Sequence, residues 1–146
     1  MRFMVIVKAT QESDRSGKLP DAAGIEEMNQ YLDEMMAAGV LLGYEGLHPS
    51  SKGARIHFEG RTPTVTDGPF AETKELIAGY WIMQAKSLDE AIAWVKRSPV
   101  CSPTECGDVE IRQIFEPEDF AGSFSEEKLQ EEKQIRAQLA ERSAKK

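Results

Sequence analysis

The sequence predicts an α+β domain whose strands and helices follow the order β-α-β-β-α-β, with a hairpin inserted between the two middle strands. Three observations lead to this prediction. Residues 2–8 and 77–85 are densely apolar, as buried strands are. Two other segments carry apolar residues at helical spacing behind a capping residue. Between them, residues 54–66 alternate apolar and polar side chains around a Gly turn, which is typical of a hairpin.

The first strand leads into a polar loop, a helix and a second strand. We predict the loop over residues 11–18, which contain no apolar side chain. Asp21 supplies the capping carboxylate of a helix that runs to about Ala38, and Gly39 ends it. The second core strand covers residues 40–47. The buried face of the helix is predicted to carry Ile25, Met28, Leu32, Met35 and Met36.

The inserted hairpin is predicted from alternation and turn chemistry. Its first strand covers residues 54–59, in which apolar and polar side chains alternate. The chain turns at Gly60-Arg61 and returns through residues 62–66. Pro63 cannot donate a backbone hydrogen bond, so the return strand is predicted to lie at an edge.

The second helix and the last strand complete the domain. Ser87 caps a short helix that runs to about Arg97, and residues 109–115 form the last strand. Without the hairpin, this order is that of the ferredoxin-like fold, an antiparallel sheet with both helices on one face. Because strands 2–8 and 77–85 are apolar on both sides, the open sheet face would expose apolar surface that monomers avoid. We therefore expect a homodimer formed through this open sheet face.

The composition changes after residue 120, which we take as the end of the domain. Residues 121–146 are predicted as a C-terminal extension with a helix over about 125–142. The helix has few apolar residues, so it is too weakly amphipathic to fold alone. It is either a solvated, frayed helix or an arm that packs on the partner subunit.

The composition also excludes several classes of partner. The 146-residue chain has a net charge of -7 and a pI near 4.9, and it lacks the basic face that nucleic-acid binding needs. It contains no apolar run of the roughly 20 residues that a membrane-spanning helix requires. The N-terminus has the pattern of a strand and not of a signal peptide, so we expect a cytoplasmic protein.

We predict neither a cofactor nor a metal site. The chain has no glycine-rich phosphate loop and no nucleophile elbow. Cys101 and Cys106 lack the spacing of zinc ligands, so we interpret them as reduced thiols, with a reactive pair as the alternative. The spacing of His48, Asp67 and Glu72 is not diagnostic of a metal trio.

His48 and Asp67 are the candidate catalytic residues. The imidazole of His48 follows a strand and precedes a rigid proline, and it becomes an oriented base if the hairpin brings Asp67 beside it. The alternative for His48 is a position in a surface turn. The Asp67 carboxylate either accepts backbone N–H bonds in its own bend or points into a cleft as a base or ligand acceptor.

The bend that follows Asp67 is the candidate binding site. Its glycine and proline make a sharp, rigid turn at which polar and apolar groups meet, and such a turn is suited to the wall of a small-molecule pocket. For Glu72 and Lys74 the alternative is a solvated ion-pair network, and for Tyr80 it is core packing. The predicted ligand-binding residues are Arg55, Gly68, Pro69, Phe70, Glu72, Lys74 and Tyr80.

Two stretches resemble the YCII-related proteins that carry a DGPF motif. They are residues 45–55, EGLHPSSKGAR, and residues 67–81, which begin with Asp-Gly-Pro-Phe. Motifs of this length are specific, and the resemblance extends over roughly residues 2–120. It implies a dimeric ferredoxin-like α+β barrel with a ligand cleft beside the motif.

The resemblance does not imply one reaction. Relatives include a dehydrochlorinase acting on a chlorinated hydroquinone, whereas some DGPF domains accompany sigma factors. The short enzymatic relatives use a His near the start of the first helix and an Asp-Pro-aromatic motif after the second. This chain has PDAA at residues 20–23 and RSPV at residues 97–100, so that pair is not carried over. We expect cofactor-free, lyase-like acid-base chemistry with His48 or Asp67 as base, or alternatively a non-catalytic interaction or regulatory module.

Overall fold

The computed structural model describes residues 1–17, 19–71, 75–100 and 107–144. Short 3-10 turns cover Ser50–Lys52 and Pro117–Phe120. The helices and strands, in chain order, are β1 (Arg2–Lys8), α1 (Gln11–Ser16), α2 (Ala22–Ala37), β2 (Leu41–Gly46), β3 (Ala54–Glu59), β4 (Thr62–Asp67), β5 (Ile77–Gln84), α3 (Leu88–Val95), β6 (Val109–Gln113) and α4 (Glu126–Ala144).

The main sheet has the strand order β2-β5-β1-β6, and every neighbouring pair is antiparallel. Strand β5 therefore separates β1 from β2, and helix α2 makes the crossover between them. A second crossover through α3 leads from β5 to β6. This arrangement is the ferredoxin-like fold, so the predicted fold class is confirmed. The predicted hairpin is confirmed as a separate two-stranded sheet of β3 and β4.

The hydrophobic core lies between the main sheet and helices α2 and α3. Strands β1 and β5 both contribute to one face of the sheet, and both helices pack against that face. Tyr31 of α2 meets Trp81 of β5 edge to face, with ring centroids 6.1 Å apart. The buried members of the core are Phe3, Val5, Tyr31, Met35, Trp81, Met83, Ala85 and Ala91.

The buried face of α2 differs in part from the predicted one. Met35 is buried as predicted, and Tyr31 is buried with it. The predicted core residues Ile25 and Met36 are instead exposed, which corrects that prediction. The Tyr31 hydroxyl donates a hydrogen bond to the Trp94 carbonyl at 3.1 Å, which satisfies this polar group inside the core. Burial raises the pKa of Tyr31 to about 12.

The opposite face of the main sheet, which we name the second face, is also apolar at its centre. The register places Met4 beside Ile82 and Ile6 beside Tyr80 on this face. Ile6 is only 8 % exposed, and the other three side chains are half-buried. Strands β1 and β5 are therefore apolar on both sides, as the sequence predicted.

The prediction of a loop over residues 11–18 is wrong for residues 11–16, which form α1. Thr10 caps this helix, because its hydroxyl accepts a hydrogen bond from the Ser13 N–H while the Thr10 N–H donates to the Ser13 hydroxyl, each at 3.0 Å. Gly17 ends the helix with a φ of 58°, in the left-handed region. These capping residues outweigh the lack of apolar periodicity.

The chain divides into two compact units, Met1–Gln113 and Ile114–Lys146. The predicted domain boundary after residue 120 stays a prediction, and the structure groups the 3-10 turn Pro117–Phe120 with the second unit. The predicted C-terminal helix is confirmed as α4. On this helix Ile135 and Leu139 are exposed.

Ion pairs join the 3-10 turn of the second unit to α4. Lys133 Nζ lies 2.7 Å from Glu118 Oε1, and Arg136 Nη1 lies 3.6 Å from Glu116 Oε2. The hydrogen bond from Lys133 lowers the pKa of Glu118. In the described part of the chain, no helix is long and apolar enough to cross a bilayer.

Candidate functional site

The bend after β4 is fixed by a close backbone approach. The Gly68 N–H donates to the Gly53 carbonyl at 3.0 Å, and the Gly68–Pro69 peptide is cis. A Cβ added at Gly68 would lie 1.8 Å from the Ser50 carbonyl oxygen. Glycine is therefore required at this position by space, because any side chain would overlap the backbone of Ser50.

Ser50 links three segments of the chain at this bend. Its N–H and its hydroxyl both donate to the Asp14 carboxylate, at 2.7 and 2.6 Å. The Ser50 hydroxyl also accepts a hydrogen bond from the Phe70 N–H at 3.2 Å. Helix α1, the turn Ser50–Lys52 and the bend are thereby joined through one side chain that is 9 % exposed. We name the set Asp14, Ser50, Gly68 and Phe70 the corner.

Arg55 of β3 covers the outer side of the corner. Its guanidinium carbon lies 4.5 Å from the centroid of the Phe70 ring, a cation–π geometry. Arg55 Nη2 also lies 3.4 Å from Glu75 Oε2. Two contacts therefore hold the base of the hairpin against the bend.

A pocket of about 240 Å³ lies beside the corner. Both oxygens of Asp14 accept hydrogen bonds from Ser50, so this carboxylate is already engaged. In contrast, the Arg15 guanidinium makes no hydrogen bond or ion pair with the residues that the structure describes. Pro69 and Phe70 contribute apolar surface to the same pocket. The residues that line the pocket are Gln11, Asp14, Arg15, Pro69, Phe70 and Ala71.

The predicted catalytic residues do not line this pocket. Asp67 ends β4 opposite Ala54 and is exposed. Its carboxylate accepts no hydrogen bond from the residues described by the structure, including the backbone N–H groups of its own bend. His48 is also exposed and lies two residues before Ser50. Within the described residues, no hydrogen bond or ion pair joins His48 to Asp67.

The other predicted ligand-binding residues fall in three places. Gly68, Pro69 and Phe70 form the bend, and Arg55 contacts the Phe70 ring. Tyr80 is half-buried on the second face of the main sheet and does not line the pocket. Glu72 and Lys74 lie outside the described residues, as do Cys101 and Cys106.

A metal site is not formed by the described part of the chain, where no three His, Cys, Asp or Glu residues are grouped suitably. A further pocket of about 280 Å³ is lined by Tyr31, Glu34 and Arg97, among others. There the Arg97 guanidinium pairs with Glu34 and lies over the Trp94 ring, 4.7 Å from its centroid. Its cation is therefore already engaged, unlike that of Arg15.

The sequence analysis missed Asp14, Arg15 and Ser50. The helix that positions Asp14 and Arg15 was signalled by Thr10, Ser13 and Gly17, which carry the capping pattern. The pairing of Asp14 with Ser50 had no local signal, because the two residues are 36 positions apart.

The fold and the corner define a ferredoxin-like α+β protein with a small pocket beside an Asp-Gly-Pro-Phe bend. The YCII-related domain model matches residues 1–118. The chain therefore belongs to the YCII-related domain family, and the resemblance noted in its sequence is confirmed.

Two proteins illustrate the similarity. An uncharacterised protein of Rhizobium meliloti (strain 1021) is 29% identical over 97 residues, which cover 66% of this chain and 77% of the relative. A solved structure of 5-chloro-2-hydroxyhydroquinone dehydrochlorinase from Burkholderia phenoliruptrix AC1100, in complex with 2,5-dihydroxybenzoquinone, has a TM-score of 0.46 and 16% identity. That match covers 79% of this chain and 94% of the other. A likeness of this degree carries no inference about activity.

Proposed function

We propose that the chain binds a small polar metabolite, specifically a single-ring aromatic carboxylate, in the pocket beside residues 67–70. The observation that carries this proposal is Arg15, which lines the pocket together with Pro69 and Phe70 and whose guanidinium has no counter-ion among the described residues. The pocket therefore offers a cation for a carboxylate and an apolar surface for a ring.

The chemistry of the two surfaces favours this class of ligand. A guanidinium presents paired N–H donors that match the two oxygens of a carboxylate. An aromatic or proline side chain packs favourably against a flat apolar ring. Both oxygens of the Asp14 carboxylate accept hydrogen bonds from Ser50. This carboxylate therefore does not compete with a ligand for the Arg15 guanidinium.

The size of the pocket guides the choice of a single-ring probe. Drug-sized ligands occupy pockets of about 300 to 1,000 Å³. The pocket volume of about 240 Å³ is below this range, which favours a small ligand. A benzoate-sized molecule is the appropriate probe.

Isothermal titration with benzoate and with neutral benzamide tests the binding proposal. Benzoate is expected to bind wild-type protein more tightly than benzamide, because only benzoate pairs with Arg15. Arg15→Gln is expected to weaken benzoate binding by about tenfold, the value of one charge-assisted hydrogen bond, without changing benzamide binding.

Arg61→Gln provides a matched control, because Arg61 is an exposed arginine at the hairpin turn. This variant removes the same charge from the chain and is expected to bind both probes like wild type. Equal affinity of wild type for benzoate and benzamide would contradict the proposal. Failure to bind either probe would favour the alternative, a non-catalytic interaction or regulatory module linked to sigma-factor-type transcription regulation.

We extend the proposal to cofactor-free acid-base chemistry, with His48 or Asp67 as the base. Both are exposed, and they precede Ser50 and Phe70 in the two segments that build the corner. Such a base removes the O–H proton of a hydroxylated benzoate, and the resulting phenolate takes up a deuteron from D2O at an ortho or para ring carbon and releases that carbon's proton to solvent. Neither residue lines the pocket, so a bound ligand must extend toward them.

Hydrogen–deuterium exchange at ligand carbons tests this chemistry. Hydroxylated benzoates incubated with the protein in D2O are expected to incorporate deuterium, as followed by NMR. His48→Ala or Asp67→Ala is expected to slow incorporation at least tenfold while benzoate affinity remains unchanged. If both variants incorporate deuterium at the wild-type rate, neither His48 nor Asp67 is the base.

We also propose that the protein is a cytoplasmic homodimer joined through the second face of the main sheet. Support comes from Met4, Ile6, Tyr80 and Ile82, which form an apolar centre on the side away from α2 and α3. Analytical ultracentrifugation at micromolar concentration is expected to show a dimer. Ile82→Gln is expected to weaken it, and a monodisperse wild-type monomer would contradict it.

A further inference from the structure

We propose that Gln11 is a specificity-determining residue, whose side-chain amide selects a benzoate with a hydroxyl group at the meta or para position of the ring. Gln11 lines the same pocket as Arg15. The inference rests on the proposed binding of an aromatic carboxylate beside Arg15 and deepens it, because it names the substituent that the ligand carries. The sequence analysis assigned no role to Gln11.

The pocket has two side chains that can donate a hydrogen bond to a ligand. Of its lining residues, only Gln11 and Arg15 carry side-chain N–H groups. Gln11 is exposed, and its amide makes no hydrogen bond with the residues that the structure describes. Asp14 has only acceptor oxygens, and both of them already accept hydrogen bonds from Ser50. A ligand in this pocket therefore meets one cation and one neutral amide.

The sequence positions of the two donors set the distance between them. Gln11 and Arg15 stand four residues apart on α1, which covers Gln11–Ser16. Residues at this spacing lie on the same face of a helix, with about 5 to 6 Å between their Cβ atoms. The amide and the guanidinium are therefore carried by one side of α1, one helical turn apart.

This spacing is fixed by the contacts that hold α1. Thr10 caps the start of the helix through reciprocal hydrogen bonds with Ser13. Gly17 ends it in the left-handed region, and its N–H donates to the Ser13 carbonyl at 3.2 Å. The Asp14 carboxylate anchors the helix to the turn Ser50–Lys52. A ligand thus meets two donors whose backbone positions are set before it binds.

The distance between the donors selects the position of the substituent. In a benzoate, an ortho hydroxyl lies beside the carboxylate and forms a hydrogen bond with it. A meta or para hydroxyl is instead separated from the carboxylate carbon by roughly the 5.4 Å pitch of an α-helix. With the carboxylate paired to Arg15, a hydroxyl at either of these positions comes within reach of the Gln11 amide.

The chemistry of the amide selects a hydroxyl over a charged substituent. An amide offers both a donor N–H and an acceptor oxygen, and a hydroxyl group can pair with either. Gln11 provides no charge to balance a second carboxylate or an ammonium group. A second carboxylate is also disfavoured by the net charge of -7 on the chain.

Isothermal titration with matched pairs of acids tests this inference. Each hydroxybenzoate isomer is compared with the methylbenzoate that carries its methyl group at the same ring position. The ratio of the methylbenzoate to the hydroxybenzoate dissociation constant is expected to fall about fivefold in Gln11→Met for the meta or the para pair, the value of one neutral hydrogen bond. The ratio for the ortho pair and the affinity for unsubstituted benzoate are expected to stay unchanged.

Gln30→Met is the matched control for Gln11→Met. Gln30 is also an exposed helical glutamine, but it lies on α2 and does not line this pocket. Methionine is close to glutamine in length and in helix propensity, so both exchanges are mild for the helices that carry them. Gln30→Met is expected to show the wild-type ratio for every pair. Circular dichroism of both variants establishes that the fold is retained.

The results distinguish the role of Gln11 from the binding site itself. If benzoate binding depends on Arg15 but the meta and para ratios are the same in wild type and Gln11→Met, this inference is overturned and the proposed binding of an aromatic carboxylate stands. An equal fall for the ortho pair would overturn the assignment of the ring position. If wild-type protein binds none of these acids, the proposed function fails and the role of Gln11 fails with it.

Nuclear magnetic resonance supplies a direct measurement that does not depend on affinity. The side-chain NH2 signals of Gln11 are assigned in ¹⁵N-labelled protein by their absence from Gln11→Met. At saturation, 4-hydroxybenzoate or 3-hydroxybenzoate is expected to shift these signals, and the matching methylbenzoate is expected to shift them much less. Equal shifts with the two acids of each pair would overturn the proposal.

Discussion

The β3–β4 hairpin, which we call the ribbon, lies in sequence between Ser50 and Gly68 of the corner, but the two regions differ in how they are held. At the corner, Ser50 bonds to Asp14 and to Phe70, so segments far apart in sequence fix one another. In the ribbon, β3 and β4 pair with each other and with no other strand among the described residues. The stability of this region therefore depends on a few buried atoms at the base of the ribbon. The exposed ribbon itself is available for contacts with other molecules.

Among the substitutions that test this difference, Gly68→Ala is expected to lower the free energy of unfolding most. Gly68→Ala places a methyl group 1.8 Å from the Ser50 carbonyl, so the backbone of the corner must move. We expect the free energy of unfolding to fall by about 3 kcal/mol, the upper range of overpacking changes. Urea unfolding followed by circular dichroism measures this loss.

Gly53→Ala is the matched control for Gly68→Ala. Its new methyl group faces the same Ser50 carbonyl oxygen, but at 3.5 Å, an ordinary contact. Its backbone is extended, with a φ of -116°, which alanine adopts without strain. A change of less than about 0.5 kcal/mol is expected. Similar losses in the two variants would show that the close approach at Gly68 is not decisive.

Removal of the Asp14 carboxylate is expected to have an intermediate effect. Asp14→Ala leaves the N–H and the hydroxyl of the buried Ser50 without their acceptor. We expect a loss of about 2 kcal/mol, as for hydrogen bonds to a charged group. Faster hydrogen exchange of the Phe70 amide is also expected, because its acceptor is the Ser50 hydroxyl.

Glu12→Ala tests whether the Asp14 effect is merely that of a charge on α1. Glu12 lies in the first turn of the same helix and is exposed, so its removal is expected to lower stability by less than about 0.5 kcal/mol. A double-mutant cycle of Asp14→Ala with Ser50→Ala should show coupling. If the losses of stability in the two single variants simply add in the double variant, the two side chains do not stabilise each other.

Arg55→Gln is expected to have the smallest effect, because the contacts of Arg55 at the ribbon base are partly exposed. Loss of the cation–π contact with Phe70 should lower the free energy of unfolding by about 0.5 to 1 kcal/mol. Arg61→Gln at the ribbon turn serves as the control and should leave stability unchanged in the same urea titration. If Arg55→Gln also leaves the free energy of unfolding unchanged, the base of the ribbon is held by the corner alone.

The sequence predicted those features that depend on local pattern. The dense apolar runs placed β1 and β5, and Asp21 and Gly39 marked the limits of α2. Alternation and the Gly60 turn gave the ribbon with its register. Each of these signals lies within a few residues of the element that it specifies.

Features that depend on contacts between distant residues were not predicted. Asp14 and Ser50 are both ordinary polar residues in their local sequence, and only the fold brings them within hydrogen-bond distance. Tyr31 was missed in the core because its hydroxyl needs a partner, which the Trp94 carbonyl supplies from another helix. The close approach that requires Gly68 likewise involves Ser50, 18 positions away in the chain.

Pro63 determines how foreign strands meet the ribbon. Its position opposite Phe58 leaves the ring nitrogen directed away from β3, so the outer edge of β4 lacks a donor near the start of the strand. An incoming strand cannot extend the ladder past that point without losing a hydrogen bond, which guards against fibril growth along the edge. Association is thereby directed to side chains, which can discriminate between partners, and away from the backbone, which cannot.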